Sequence, residues 1–485
     1  MEIFIILIAP LLLAAISPLF KEERPLAGIN AMGHLAILIS SISLAIHITG
    51  AGKIEFFNLF HLDSLSAFFI LVMALVNFFS AAYSAGYIRK DIEEGFVKGK
   101  KFVQYYALFN LFAFTMFFTA SANNMGMVWV AVEMGTLVSA FLVGFYNNKK
   151  SIEAAWKYLI ICSVGIALAL LGTIFFYYTA SRHGGITSLD WTGMMLVAGN
   201  LDPKVLKIAF LFILVGYGTK AGIAPMHTWL PDAYNQAPAP VSALLSGVFL
   251  KASLYVIMRY TAIVNKCMGP EFTGKLLIFF GLLSIAIAAA FIIAQRDSKR
   301  LLGYSSIEHI GIISLGFGIG GPIGIGGALF HVFNHALSKA LIFLGMGGIT
   351  RKYRTSDMNS IHGALKIMPF AGVAVLIAAF ALAGSPPFSI FTSEIMIAIA
   401  GFRTGHYMAT IIFLLLIAVI FGAFIHHISG MIFGKGPENM RKLGTPLGAK
   451  IAVILITAVI LITAFATPPF FNKLLASSVN ILRGI

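Results

Sequence analysis

Runs of about 20 apolar residues recur from one end of the chain to the other, and nothing else restricts its folding so strongly. Such a run crosses a bilayer as a helix, because only a helix satisfies every backbone N–H and C=O within one segment. About 14 runs are legible: 2–20, 26–49, 62–88, 102–120, 123–146, 152–180, 204–229, 238–262, 273–295, 298–320, 322–350, 365–400, 406–433 and 447–472. Composition agrees, with 59% of residues hydrophobic and 11% charged, against roughly a quarter charged in a soluble domain. An all-α polytopic membrane protein is predicted. The first run has no basic segment ahead of it and similar runs behind it, so it reads as a retained helix.

The net charge of +15 is informative through its placement. Connections after odd-numbered spans hold 20 Lys and Arg, and those after even-numbered spans, with the C-terminal tail, hold 9. The positive-inside rule then makes the odd connections cytoplasmic and puts both termini outside. Topology accounts for the basic charge, so the partner it implies is a lipid bilayer and no nucleic acid. These counts take a basic residue in the first four positions of a span with the connection before it; the five others inside spans are Lys157, Lys220, Lys251, Arg259 and Lys339. Cys162 and Cys267 lie in or beside apolar runs, and two cysteines hold neither an iron–sulfur cluster nor a nickel–iron centre.

Residues 211–240, LFILVGYGTKAGIAPMHTWLPDAYNQAPAP, carry the most telling interruption. An apolar helix reaches Lys220, then meets Gly222 and Pro225, with His227 in the short piece that follows. Proline lacks an N–H and clashes with the carbonyl one turn back, so the helix stops just past the lysine. A lysine at that depth costs a few kcal/mol and marks a functional site; a snorkelling lysine on a kinked helix is the bland alternative.

Other ionisable groups interrupt apolar spans. Glu133 lies mid-way along span 5, where an ionised carboxylate needs a partner or a proton. Glu153 and Lys157 open span 6 four residues apart, equally an interfacial pair or a functional one. Lys251 lies deep in span 8; Arg259, nearer its end, is expected to snorkel, and Asp63 to be interfacial. Glu308 and His309 lie about ten residues into span 10. In span 11, His331, His335 and Lys339 are spaced by four, so one helical face carries all three. Two imidazoles and a lysine on one stripe suit a hydrated proton relay. A metal fits the histidine spacing, but Lys339 repels it and no nearby Asp or Cys completes the shell. His426 and His427 in span 13 either line the same region or sit near the cytoplasmic end.

Span 12 also breaks, at Gly384, Pro386 and Pro387, with Glu394 following. Two broken helices five spans apart, each with an ionisable residue near its break, suit a unit of spans 4–8 repeated in inverted orientation as spans 9–13. The predicted organisation is helices 1–3 in residues 1–101, a first repeat in 102–262, a second in 273–433, and helix 14 with its tail in 447–485. No long lateral helix is expected after span 14.

At these residues the chain resembles a known family. GTKAGIAPMHTWLPDAYNQAPAP, WVAVEMGTLVSAFLVGFY and HVFNHALSKALIFLG are similar to motifs of the antiporter-like subunits of respiratory complex I and of Mrp-type cation/proton antiporters. SIEAAWKYLIICSVGIALALLG and YSSIEHIGIISLG resemble the hydrogenase-4 component F branch, which serves membrane-bound hydrogenases and formate hydrogenlyases. The resemblance implies proton translocation through Glu133, Lys220, Lys251, His331, His335, Lys339 and Glu394, with Lys157, His227, Glu308 and His309 as secondary candidates. It implies no cofactor in this chain, with iron–sulfur clusters and a metal centre in partner subunits. The implied partners are other antiporter-like and small Mrp-like chains, a quinone-site-like anchor subunit and a peripheral redox module, in the cell membrane. A sodium/proton antiporter subunit of Mrp type and a non-conducting membrane scaffold are the alternatives.

Overall fold

The structure is a computed structural model that describes residues 1–437, 440 and 447–484; Arg441 and Lys442, counted above among the odd-connection charges, lie outside them. Every predicted span contains a helix, with non-helical backbone at 222–229 in span 7 and 383–388 in span 12. Among the described residues, eleven helices are long and apolar enough to cross a membrane. Spans 7, 10 and 12 fall short for separate reasons. Pro203–Ala221 carries three lysines, Lys204, Lys207 and Lys220. Ser298–Ile319 is polar in its first half, and span 12 is split into Pro369–Leu382 and Ser389–Arg403.

The long helices alternate in direction. Connections after even spans meet at one end, where Asn123 N–H donates to Leu59 C=O at 2.9 Å and Trp191 N–H to Asn123 C=O at 2.8 Å. Those after odd spans meet at the other, where Arg351 pairs with Asp91 and Glu94 at 3.3 Å each and Gly363 N–H donates to Phe433 C=O at 2.9 Å. A two-stranded antiparallel hairpin, Ile54–Phe56 with Phe60–Leu62, caps the even end and departs from an all-helical expectation.

Helix contact follows the small residues. A Cβ on Gly281 would lie 2.8 Å from the Gly311 carbonyl, so Glu271–Ile293 and Ser298–Ile319 approach backbone to backbone. Between helices in lipid, such close packing is itself the driving force. The interior is built around Ser64–Glu93, Ala239–Met268 and Gly321–Tyr353, which are buried almost all round. Two of these three carry the buried lysines and histidines of spans 8 and 11, so the polar groups lie at the centre of the bundle.

The end of the chain corrects the boundary of span 14. Leu447–Phe465 stops before Pro468, and Pro469–Arg483 forms a separate amphipathic helix. Phe471, Leu474, Ser478, Val479 and Leu482 recur at helical spacing on its buried face. Phe471 seats its ring 4.7 Å from Phe333 and 6.1 Å from Phe68, which fastens this helix to the central pair.

Candidate functional site

Lys220 lies in the last turn of Pro203–Ala221 and is fully buried. The helix ends there because Gly222 takes φ +77°, a left-handed conformation that lets Ile223 N–H return to Gly218 C=O at 2.9 Å. The non-helical segment beyond is satisfied by protein. Trp229 Nε1 donates to Thr219 C=O at 2.8 Å, and Ala224 N–H donates to the Ser284 hydroxyl at 2.9 Å. The Ala224–Pro225 bond, like Pro386–Pro387 in the other break, is cis.

The partner of Lys220 is Glu133 of Met125–Val143. Lys220 Nζ lies 3.1 Å from Glu133 Oε2, and the Ser163 hydroxyl donates to Oε1 at 3.0 Å. Lys220 also donates to the hydroxyl of Thr136, one turn along from Glu133. The pair is asymmetric: the lysine side chain has no exposure, the glutamate 19%.

Lys251 follows a π-helical turn, Leu245–Phe249, and donates to the Ser246 carbonyl five residues back. A π turn widens the backbone ladder and recurs at functional sites. Ser246 Oγ meets Ser306 Oγ at 2.9 Å, linking span 8 to span 10. Lys339 donates to the Leu302 carbonyl at 2.9 Å and interacts electrostatically with Glu308. Both lysines are fully buried, and each acts electrostatically on His335.

The histidine stripe of span 11 meets span 10 edge to edge. His309 Nδ1 lies 2.9 Å from His331 Nε2, and His331 Nδ1 lies 2.8 Å from Ser393 Oγ. The His335 ring is 4.4 Å from that of His309, centroid to centroid. Glu394 joins the group from Ser389–Arg403, the half-helix after the second break. One nitrogen of His309, one of His331 and a carboxylate oxygen of Glu394 lie within 4.8 Å of one another. Gly384, at φ +65°, makes room: a Cβ there would sit 2.2 Å from Glu394 Oε2. His309 Nε2 and both nitrogens of His335 are buried without a hydrogen-bond partner among the described residues.

The remaining candidates separate. Lys157 pairs with Glu153 at 2.5 Å on an exposed surface, with Asp232 3.7 Å away, apart from the buried groups. His227 is buried in the first break, its ring 6.3 Å from that of Tyr304. His427 Nε2 lies 3.0 Å from the carbonyl of Ile292, and His426 is exposed, so this pair sits at the odd-connection end and does not join the buried histidines.

One expectation is corrected. Arg259 does not extend outward to solvent but turns to Asp63, the N-cap of Ser64–Glu93: both are buried, with Arg259 Nη1 and Nη2 each 2.6 Å from a different Asp63 oxygen. The guanidinium also lies 4.4 Å from the Trp191 ring and donates to Tyr255 and Ser66 hydroxyls. Arginine lies inside because its planar fork finds a bidentate partner and two aromatic faces there. Sequence reasoning also missed the hydroxyls of Thr136, Ser163, Ser246 and Ser393. Thr136 alone carried a signal, its i,i+3 spacing from Glu133; the others act across helices.

Residues 122–422 match the family described as NADH:quinone oxidoreductase/Mrp antiporter, TM. The hydrogenase-4 component F homolog of Methylacidiphilum infernorum is 37% identical over 395 residues, 80% of this chain and 83% of that protein. Hydrogenase-4 component B of Escherichia coli strain K12 is 34% identical over 357 residues, 71% of this chain; the match spans about half of that protein, 51%. A chain of the membrane-bound sulfane sulfur reductase, an archaeal respiratory membrane complex, shares the fold with TM-score 0.89 at 23% identity, covering 100% of this chain and 98% of that one.

Proposed function

Because the chain belongs to the NADH:quinone oxidoreductase/Mrp antiporter transmembrane family, we propose that it is a proton-translocating subunit of a complex-I-related respiratory complex of membrane-bound hydrogenase, formate hydrogenlyase or sulfur-reducing type. The observation that carries this reading is a series of ionisable groups through the bundle centre, all buried but the partly exposed Glu133: Glu133–Lys220, Lys251, Lys339 with Glu308, then His335, His309, His331 and Glu394. Residues 102–262 and 273–433 are its two inverted repeats, each with one broken helix and one ionisable group at the break. Breaks admit water and let a half-helix shift, as in transporters.

In this mechanism the Glu133–Lys220 pair is the switch. At an effective dielectric of about 20, closing a pair to about 4 Å exchanges roughly 4 kcal/mol, about a thousandfold in an equilibrium. A proton leaves Lys220 when the pair opens and passes along the lysine and imidazole groups toward Glu394. Energy is supplied by redox subunits that hold the iron–sulfur clusters and a metal centre. The neighbours are antiporter-like and small Mrp-like chains and a quinone-site-like anchor. The chain lies in the cell membrane with both termini outside, the orientation that the distribution of Lys and Arg supports.

The test is donor-driven proton uptake by inverted vesicles carrying the whole complex, wild type against Lys220→Ala. Uptake lost while electron transfer persists supports the reading; unchanged uptake overturns it and leaves a scaffold. Sodium movement in place of protons assigns the chain to the Mrp-type antiporters that the family also contains.

A further inference from the structure

The cluster at the second break has a ligand set that a proton relay does not require. Three helices each contribute: His309 from Ser298–Ile319, His331 from Gly321–Tyr353, Glu394 from Ser389–Arg403. We infer that His309, His331 and Glu394, with His335 beside them, form a site for a divalent transition metal of the zinc class.

Four observations support this. The three ligand atoms lie within 4.8 Å of one another, and a tetrahedral ion bonded at 2.0–2.1 Å needs ligand edges of about 3.3 Å. Side-chain rotation covers the difference. The two imidazole nitrogens already face each other at 2.9 Å, a spacing that holds one shared proton or opens slightly to hold a metal. His331 has its outer partner in place: with Nδ1–H donating to Ser393 Oγ at 2.8 Å, Nε2 keeps its lone pair for the inner side. Finally, both nitrogens of His335 lack hydrogen-bond partners among the described residues in a fully buried setting, 4.4 Å from His309 ring to ring, so a fourth ligand stands in reserve.

Charge sets the condition on a cation. Lys251 and Lys339 both act electrostatically on His309, and Lys251 on His331, so both oppose an ion there; Lys339 points its ammonium to the Leu302 carbonyl, and the carboxyl groups of Glu394 and Glu308 are the two that offset the divalent charge. Imidazole and carboxylate ligands in a tetrahedral set favour zinc over magnesium or calcium, which take oxygen. A bound ion occupies the lone pairs through which His309, His331 and Glu394 would pass protons, so metal and proton passage exclude one another. That consequence rests on the proposed relay; metal binding itself does not.

The experiment titrates the full-length chain in detergent, freed of metal by chelation, with Zn2+ alone by calorimetry. One Zn2+ per chain is expected, abolished by His331→Gln and by Glu394→Gln. Ser393→Ala, which leaves every ligand in place, is expected to weaken binding by about tenfold or more. His426→Ala combined with His427→Ala is expected to leave it intact. Absence of binding, binding that survives both ligand variants, or binding lost only with His426 and His427 overturns the site. Proton uptake by vesicles of the whole complex is then read with and without Zn2+. Uptake unchanged by a bound ion leaves the site standing and removes the relay.

Discussion

Lys220 reaches Glu133 within one chain, Nζ to Oε2 at 3.1 Å, while Ser163 and Thr136 hydroxyls bond the two ends of the pair. The charge therefore has a partner before any neighbouring subunit arrives. The pair joins a half-helix that ends at Gly222 to a continuous helix, so motion of the half-helix opens it.

Glu133→Gln keeps the side chain's shape and removes its charge. Donor-driven proton uptake is expected to fall well over tenfold, because roughly 4 kcal/mol of switching energy is lost. Electron transfer in the same vesicles should continue. The ratio of protons taken up to electrons transferred is the measurement, and a ratio equal to wild type contradicts the switch.

Arg259→Ala leaves Asp63 charged and buried. Breaking a buried pair by removing one partner costs about 3–5 kcal/mol, and the loss should appear as a lower Tm of the purified protein. Replacing both, Asp63→Leu with Arg259→Met, is expected to recover most of it. A double variant as unstable as the single one would mean that the Tyr255, Ser66 and Trp191 contacts, and not the charge pair, carry the stability.

Gly384→Ala tests the second break. A left-handed φ with a side chain costs about 1–2 kcal/mol, and the new Cβ would meet Glu394 Oε2 at 2.2 Å. Proton uptake is expected to fall more than stability does, since the carboxylate must leave the histidines. Gly222→Ala has the same left-handed φ but meets the apolar Leu230 and not an ionisable group, which makes it the control for strain and crowding without a carboxylate.

Lys157→Ala removes an exposed pair with Glu153 that stands apart from the buried groups. Proton uptake and Tm should both match wild type. A large loss of uptake would place Lys157 on the path.

Membrane class, the spans, the two breaks and the ionisable residues that interrupt them were legible in the sequence. All are local: apolar run length, proline chemistry and the cost of charge in hydrocarbon act within one segment. Partnership was not. That Lys220 meets Glu133, that His309 slots beside His331, and that Glu394 joins them from a third helix all depend on how helices distant in sequence pack. Arg259 shows the same limit from the other side. A charge near a helix end reads as snorkelling until tertiary structure brings Asp63, 196 positions away, within 2.6 Å. The π turn at Leu245–Phe249 and the amphipathic helix Pro469–Arg483 were decided the same way, by neighbours that reward an irregular ladder or an apolar face. Sequence alone determined which groups must be paired; only packing decided with what.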